Sequence, residues 1–170
     1  LFRVSSVKVK GVKLKSISIN IMKNTRGMRN NNPLNIRRMS NKRLWQGQKE
    51  DTKEKEFCVF NALEMGYRAA WILLDNYLLW FAQHGEPYCI NSIINRWAPS
   101  TENDTKAYIR SVCRLTNIKG DELLKAPFLD KQKFMKIMAA MTCVENGISM
   151  DDVPWESIEK SFRLAFGKMA

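Results

Sequence analysis

Two polar stretches concentrate the side chains able to do chemistry: RGMRNNNPLNIRR at 26–38 and WAPSTENDT at 97–105. In the first, Asn31, Asn32 and Asn35 can turn amides into a cleft. An amide offers both donor and acceptor, which suits sugar hydroxyls and N-acetyl groups. Arg26, Arg29, Arg37 and Arg38 add planar donors for carboxylates or phosphates. The same stretch also has a bracing role open to it. Asn bonds to nearby backbone and tolerates left-handed geometry, and Pro33 drives Asn32 extended.

In the second stretch, Thr101-Glu102-Asn103-Asp104 has the spacing of a capping box, with Asp in place of the usual Glu. Acids in a first helical turn also complement the helix dipole. The catalytic reading makes Glu102 a general acid at the lip of a cleft beside Trp97, whose apolar face would raise the carboxyl towards working pH. Glycosidases that use two carboxylates place the second across the substrate. Asp104 is too close in sequence to face Glu102; Glu64, Asp51 and Glu50 are the other candidates, and no pair stands out. Asn103, Asp104, Trp45, Trp97, Tyr67 and Tyr108 are candidate contacts for a sugar chain, the rings by stacking or, equally, as core.

Other chemistries find little support. Cys58, Cys89, Cys113 and Cys143 stand singly among apolar neighbours, with no CxxC pair and one histidine in the chain. Metal binding needs closely spaced ligands, so the thiols read as buried and free, and neither a metal nor a cofactor is expected. His84, in QHGEP, reads as a helix-end cap rather than a catalytic base.

The elements that must position these stretches are mainly helices. ALEMGYRAAWILLDNYLLWFAQ (62–83) is apolar nearly all round, as a central core helix is, and Asp75 and Asn76 interrupt it short of a membrane span. Helices follow at 89–97, 104–116, 131–146 (closed by Gly147) and 154–166, where Pro154 fits a first turn. A short helix is expected at 120–125 and one turn near 35–39. EFCVF (56–60) reads as a short strand within a small β element at 44–60. The last helix is expected to pack back on the rest.

The formal charge is +11, with 28 Lys and Arg against 17 Asp and Glu. Arg3, Lys8, Lys10, Lys13 and Lys15 carry five of these charges in residues 1–21, leaving +6 for 22–170. That surplus fits any anionic polymer or surface. The basic residues are scattered and form no nucleic-acid motif, so nucleic acid is the weakest of the candidate partners. VKVKGVKLKSISINI alternates apolar and polar residues, as a strand or a hairpin turning at Gly11 does. It lacks the continuous apolar core of a signal peptide. Met22 reads as a natural start, making 1–21 a basic extension to a single helical domain at 22–170.

Taken in order, RGMRNNNPLNIR, Trp45-x-Gly47, FCVF, MGYRAA and INRWAPSTENDTKAYI resemble a family of phage and prophage virion structural proteins, over about 26–116. Leu34 departs from that pattern, which has Gly there. The first half is also similar, more loosely, to bacterial cell-wall glucosaminidases. That resemblance implies a lysozyme-like helical fold with the glycan strand of peptidoglycan as ligand and other virion proteins as partners. It implies a place in the virion, or in the bacterial cytoplasm before phage release. In those enzymes the catalytic glutamate precedes the Asn-Asn turn, whereas residues 1–29 here hold no acid. Two expectations follow: a wall-cleaving glycosidase or lytic transglycosylase with Glu102 as acid, or a non-catalytic virion structural protein.

Overall fold

The computed structural model describes residues 25–41 and 43–167. The expected strand or hairpin at the start of the chain lies outside them. The described chain is mainly helical: α1 (Arg26–Arg29), α2 (Leu63–His84), α3 (Ile90–Trp97), α4 (Thr105–Thr116), α5 (Lys131–Asn146), a 3-10 turn (Met150–Asp152) and α6 (Trp155–Phe166).

The central helix is α2. Gly66, Tyr67, Ala69, Ala70, Trp71, Leu74, Tyr77 and Phe81 are all buried, and Gly85 ends the helix in a left-handed conformation (φ 68°). Such a stop is most easily made by glycine. Trp71 is fully buried, edge-on to Phe162 at 5.2 Å and to Phe166 at 6.1 Å. Its indole N–H donates to Ser161 Oγ at 3.0 Å. These contacts seat α6 on α2, so the last helix does pack back. α5 runs beside α4 and α6 and joins α2 through the Tyr67 and Thr142 hydroxyls, 3.0 Å apart.

Three local expectations are corrected. Residues 120–125 form no helix: the Leu124 N–H donates to the Tyr88 carbonyl at 2.9 Å, and six residues are too few to nucleate a helix without tertiary help. No helical turn forms at 35–39, because Asn35 is left-handed (φ 50°) and the chain then runs alongside 56–58. The helical turn comes earlier, at α1, capped by Thr25. Finally, 44–60 holds no strand. Among the described residues there are only two isolated antiparallel bridges, Arg37 with Phe57 and Gln48 with Phe60. Side-chain amides supply the remaining fastening there.

Among the described residues no helix is long and apolar enough to cross a membrane. All four cysteines are free; Cys58, Cys89 and Cys143 are buried, and Cys113 is partly so.

Candidate functional site

The Asn-rich loop is built by its own amides. Asn32 is fully buried; its Nδ2 donates to the carbonyls of Ile36 and Cys58, both at 2.9 Å. Its Oδ1 accepts from the Ile36 N–H at 2.9 Å. Asn31, left-handed at φ 50°, donates to the Phe60 carbonyl at 3.0 Å. Both side chains are therefore spent on holding loop 30–38 to segment 56–60. Gly66 lets α2 approach this loop closely, since a Cβ there would overlap the Asn31 carbonyl. Gly47, at φ 77°, similarly admits Met65, and the Asn61 N–H donates to the Gly47 carbonyl at 2.9 Å. Thus the Trp45-x-Gly47 turn is fixed to the start of α2.

A cleft of about 820 Å³ opens beside this loop. Its lining combines Asn35, Arg37, Arg38, Trp45 and Phe57, from residues 35–57, with Tyr77, Arg96, Trp97, Glu102 and Asn103, from α2, α3 and the segment before α4. Glu145, next to last in α5, also lines it. The Glu145 carboxylate is gripped from several elements. Asn35 Nδ2 donates to Oε2 at 2.8 Å, and the buried Tyr108 hydroxyl donates to Oε1 at 3.0 Å. Trp97 also lies close enough to favour the charged carboxylate. Burial pushes this carboxyl above the ordinary value of 4.5, against the opposing pull of Asn35, Tyr108 and Trp97. Its place at the C-terminal end of a helix also puts the anion at the negative end of the dipole. The neighbouring Asn146 completes the clamp, donating to the carbonyls of Pro33 (2.7 Å) and Thr142 (2.9 Å) and accepting from the Thr25 hydroxyl at 2.7 Å.

Glu102 lines the same cleft, but in surroundings unlike those expected. Its side chain is 51% exposed and its Oε2 accepts from Arg37 Nη2 at 2.6 Å. The burial anticipated for Glu102 beside Trp97 belongs to Glu145 instead. Arg37 is shared, since Glu56 also binds it, and its guanidinium lies 5.1 Å from the Phe57 ring centre. The bond to Glu56, followed by the two carboxylates' charges, raises the Arg37 pKa further. This ion pair ties the loop at 35–39 to the segment leading into α4.

The other nominated residues divide clearly. Asn35, Arg37, Trp45, Trp97 and Asn103 line the cleft, and Tyr108 reaches it through Glu145. Asp104, rather than Thr101, caps α4: its Oδ1 accepts from the Ala107 N–H at 2.9 Å, so it acts as a helix cap outside the cleft lining. Arg29 is exposed and also outside the lining. Tyr67 is fully buried in the core. Glu64 accepts from the Ser157 hydroxyl at 3.0 Å, and Glu50 and Asp51 are exposed away from the cleft. His84 Nδ1 lies 2.8 Å from the Trp80 carbonyl, a contact made at the end of α2.

Sequence reasoning missed Glu145 and Asn146. The available signal was an acid and an amide, side by side, closing the otherwise apolar helix MKIMAAMTCVEN just before Gly147. Three polar atoms on cleft-lining residues, Asn35 Oδ1, Arg38 Nε and Trp45 Nε1, are buried without a hydrogen-bond partner among the described residues. Unspent polar capacity of that kind is uncommon in a folded protein and leaves these atoms open to water or a ligand.

No family model matches the chain. It is similar to Protein P5 of Pseudoalteromonas phage PM2, with 33% identity over 142 residues, covering 83% of this chain and 82% of that protein.

Proposed function

The chain belongs to the family of the phage-encoded Protein P5, and from that premise we propose that it acts at the bacterial cell wall as a virion-associated protein. The cleft takes a peptidoglycan glycan strand, and Glu145 is the acid that cleaves it. One observation carries this reading: a partly buried carboxyl, raised above its ordinary range, stands in a cleft with indole, phenol and amide groups around it. Indole faces suit sugar rings, and amides suit their acetamido groups.

In the proposed reaction the protonated Glu145 carboxyl donates its proton to the glycosidic oxygen as the C1–O bond breaks, leaving an oxocarbenium-like centre. Glu102, the other carboxylate of the lining, is paired with Arg37. The chemistry is therefore assigned to a single acid, and the centre is captured by water or by the sugar's own 6-hydroxyl. Once its proton is given up, the carboxylate is stabilised by Asn35, Tyr108 and Trp97. It then takes a proton from the attacking hydroxyl and is restored.

The test is clearing of purified peptidoglycan by the parent and by Glu145→Gln, with mass analysis of the released sugars to show whether water has been added. A second reading, wall binding by a non-catalytic virion structural protein, is favoured by the two hydrogen bonds, from Asn35 and Tyr108, that build Glu145 into the framework. It predicts glycan binding that Glu145→Gln leaves intact and no clearing by either protein.

A further inference from the structure

Four arginines line the cleft, and three are already engaged. Arg26 lies 3.6 Å from Glu56, and Arg37 is held by Glu56 and Glu102. Arg38 donates to the Thr52 hydroxyl at 2.7 Å and to the carbonyls of Lys49 and Glu50. Arg96 is different. Its guanidinium sits 3.7 Å from the Trp80 ring centre and 5.1 Å from that of Tyr77, and His84 stacks on the same indole at 3.9 Å. Among the described residues no carboxylate lies within ion-pair distance of it.

Stacking on two rings holds the long side chain in place before any ligand arrives, so less conformational freedom is lost when an anion binds. The guanidinium keeps its positive charge uncompensated and its fork of donors suited to a carboxylate. It is also tied to the acid's surroundings. Arg96 adjoins Trp97, which lines the cleft with Glu145 and packs edge-on to Tyr77 at 6.3 Å.

We infer that Arg96 is an anion-receiving subsite of the cleft, taking a carboxylate carried on a sugar ring, such as the free lactyl carboxylate of a muramyl unit that bears no stem peptide. This rests on the glycan reading above and deepens it: Arg96 distinguishes acidic glycan strands from neutral ones. Tyr77 and Trp80 serve as its platform, and Arg37 remains with Glu56 and Glu102.

The test compares calorimetric binding of two ligands to the intact protein. One is an alternating N-acetylglucosamine and N-acetylmuramic acid tetrasaccharide with free lactyl carboxylates. The other is the same sugar with those carboxylates converted to amides. The parent is expected to bind the acid about tenfold more tightly than the amide, as one charge-assisted contact supplies. Arg96→Gln is expected to bind both as the parent binds the amide, and Arg96→Lys to retain part of the preference. Equal binding of acid and amide by the parent, or an undiminished preference in Arg96→Gln, overturns the subsite and leaves the glycan reading standing. Failure of the parent to bind either sugar overturns both.

Discussion

Asn35 Nδ2 donates to Glu145 Oε2 at 2.8 Å, across 110 positions of sequence. The bond joins the left-handed corner of the Asn-rich loop to the end of α5 and sets the carboxyl facing the cleft. Asn35 Oδ1 has no partner among the described residues. Turning the amide over would therefore let it accept a hydrogen bond from a residue that donates.

That freedom makes Glu145→Gln a gentle substitution. The new amide can accept from Tyr108 through its oxygen and donate to a turned Asn35 through its nitrogen. The variant should fold with the parent's circular dichroism while losing wall-clearing activity about 100-fold or more, the usual contribution of a general acid.

The same carboxyl gives a pH dependence of stability. Burial raises Glu145 above the ordinary value of 4.5, so just above that value the folded state keeps a proton the unfolded chain has released. Its stabilising contribution is complete below the unfolded value and is lost as pH rises through the folded one. Asp75, also raised by burial, acts with the same sign. The urea midpoint of Glu145→Gln should accordingly fall less than the parent's between about pH 4.5 and pH 7. The exposed carboxylates held down by neighbours are common to both proteins and cancel in the comparison.

Asn32 makes three buried hydrogen bonds at 2.9 Å. Asn32→Ala removes all three and leaves the Cys58 carbonyl and the Ile36 N–H without partners, the Ile36 carbonyl still accepting from the Cys58 N–H, and should cost roughly 2–4 kcal/mol in urea unfolding. Asn31→Ala, which loses one bond to Phe60 and puts alanine at a left-handed position, should cost about 2 kcal/mol.

Gly66 is where α2 meets the loop backbone. Because a Cβ would overlap the Asn31 carbonyl, Gly66→Ala should destabilise by at least about 2 kcal/mol, despite alanine's better helix propensity. A stabilising effect would mean that α2 and the loop stand further apart than described.

The helices were legible in the sequence because their signals are local. The apolar run at 62–83 and the Gly147 stop place α2 and α5 within a residue of where they lie. Segment 56–60 was less so: its aromatic and β-branched residues read as a strand, but Asn32 amide bonds and two bridges do the fastening. Half of the site was visible too, as Asn35, Trp45, Trp97 and Asn103 do share a cleft with Glu102. Glu145 was not, because its one local mark, an acid beside an amide at the end of an apolar helix, does not say what the carboxyl faces. Its partners come from positions 35, 97 and 108, and only tertiary packing assembles them. Glu102, conspicuous in its polar motif, is ion-paired to Arg37 in solvent.

The most direct measurement is the rate at which the parent, Glu145→Gln and Glu102→Gln clear a suspension of purified peptidoglycan, each shown to be folded. The account predicts clearing by the parent and by Glu102→Gln, with Glu145→Gln reduced about 100-fold or more. Clearing by Glu145→Gln at the parent's rate, or no clearing by the parent, would contradict it.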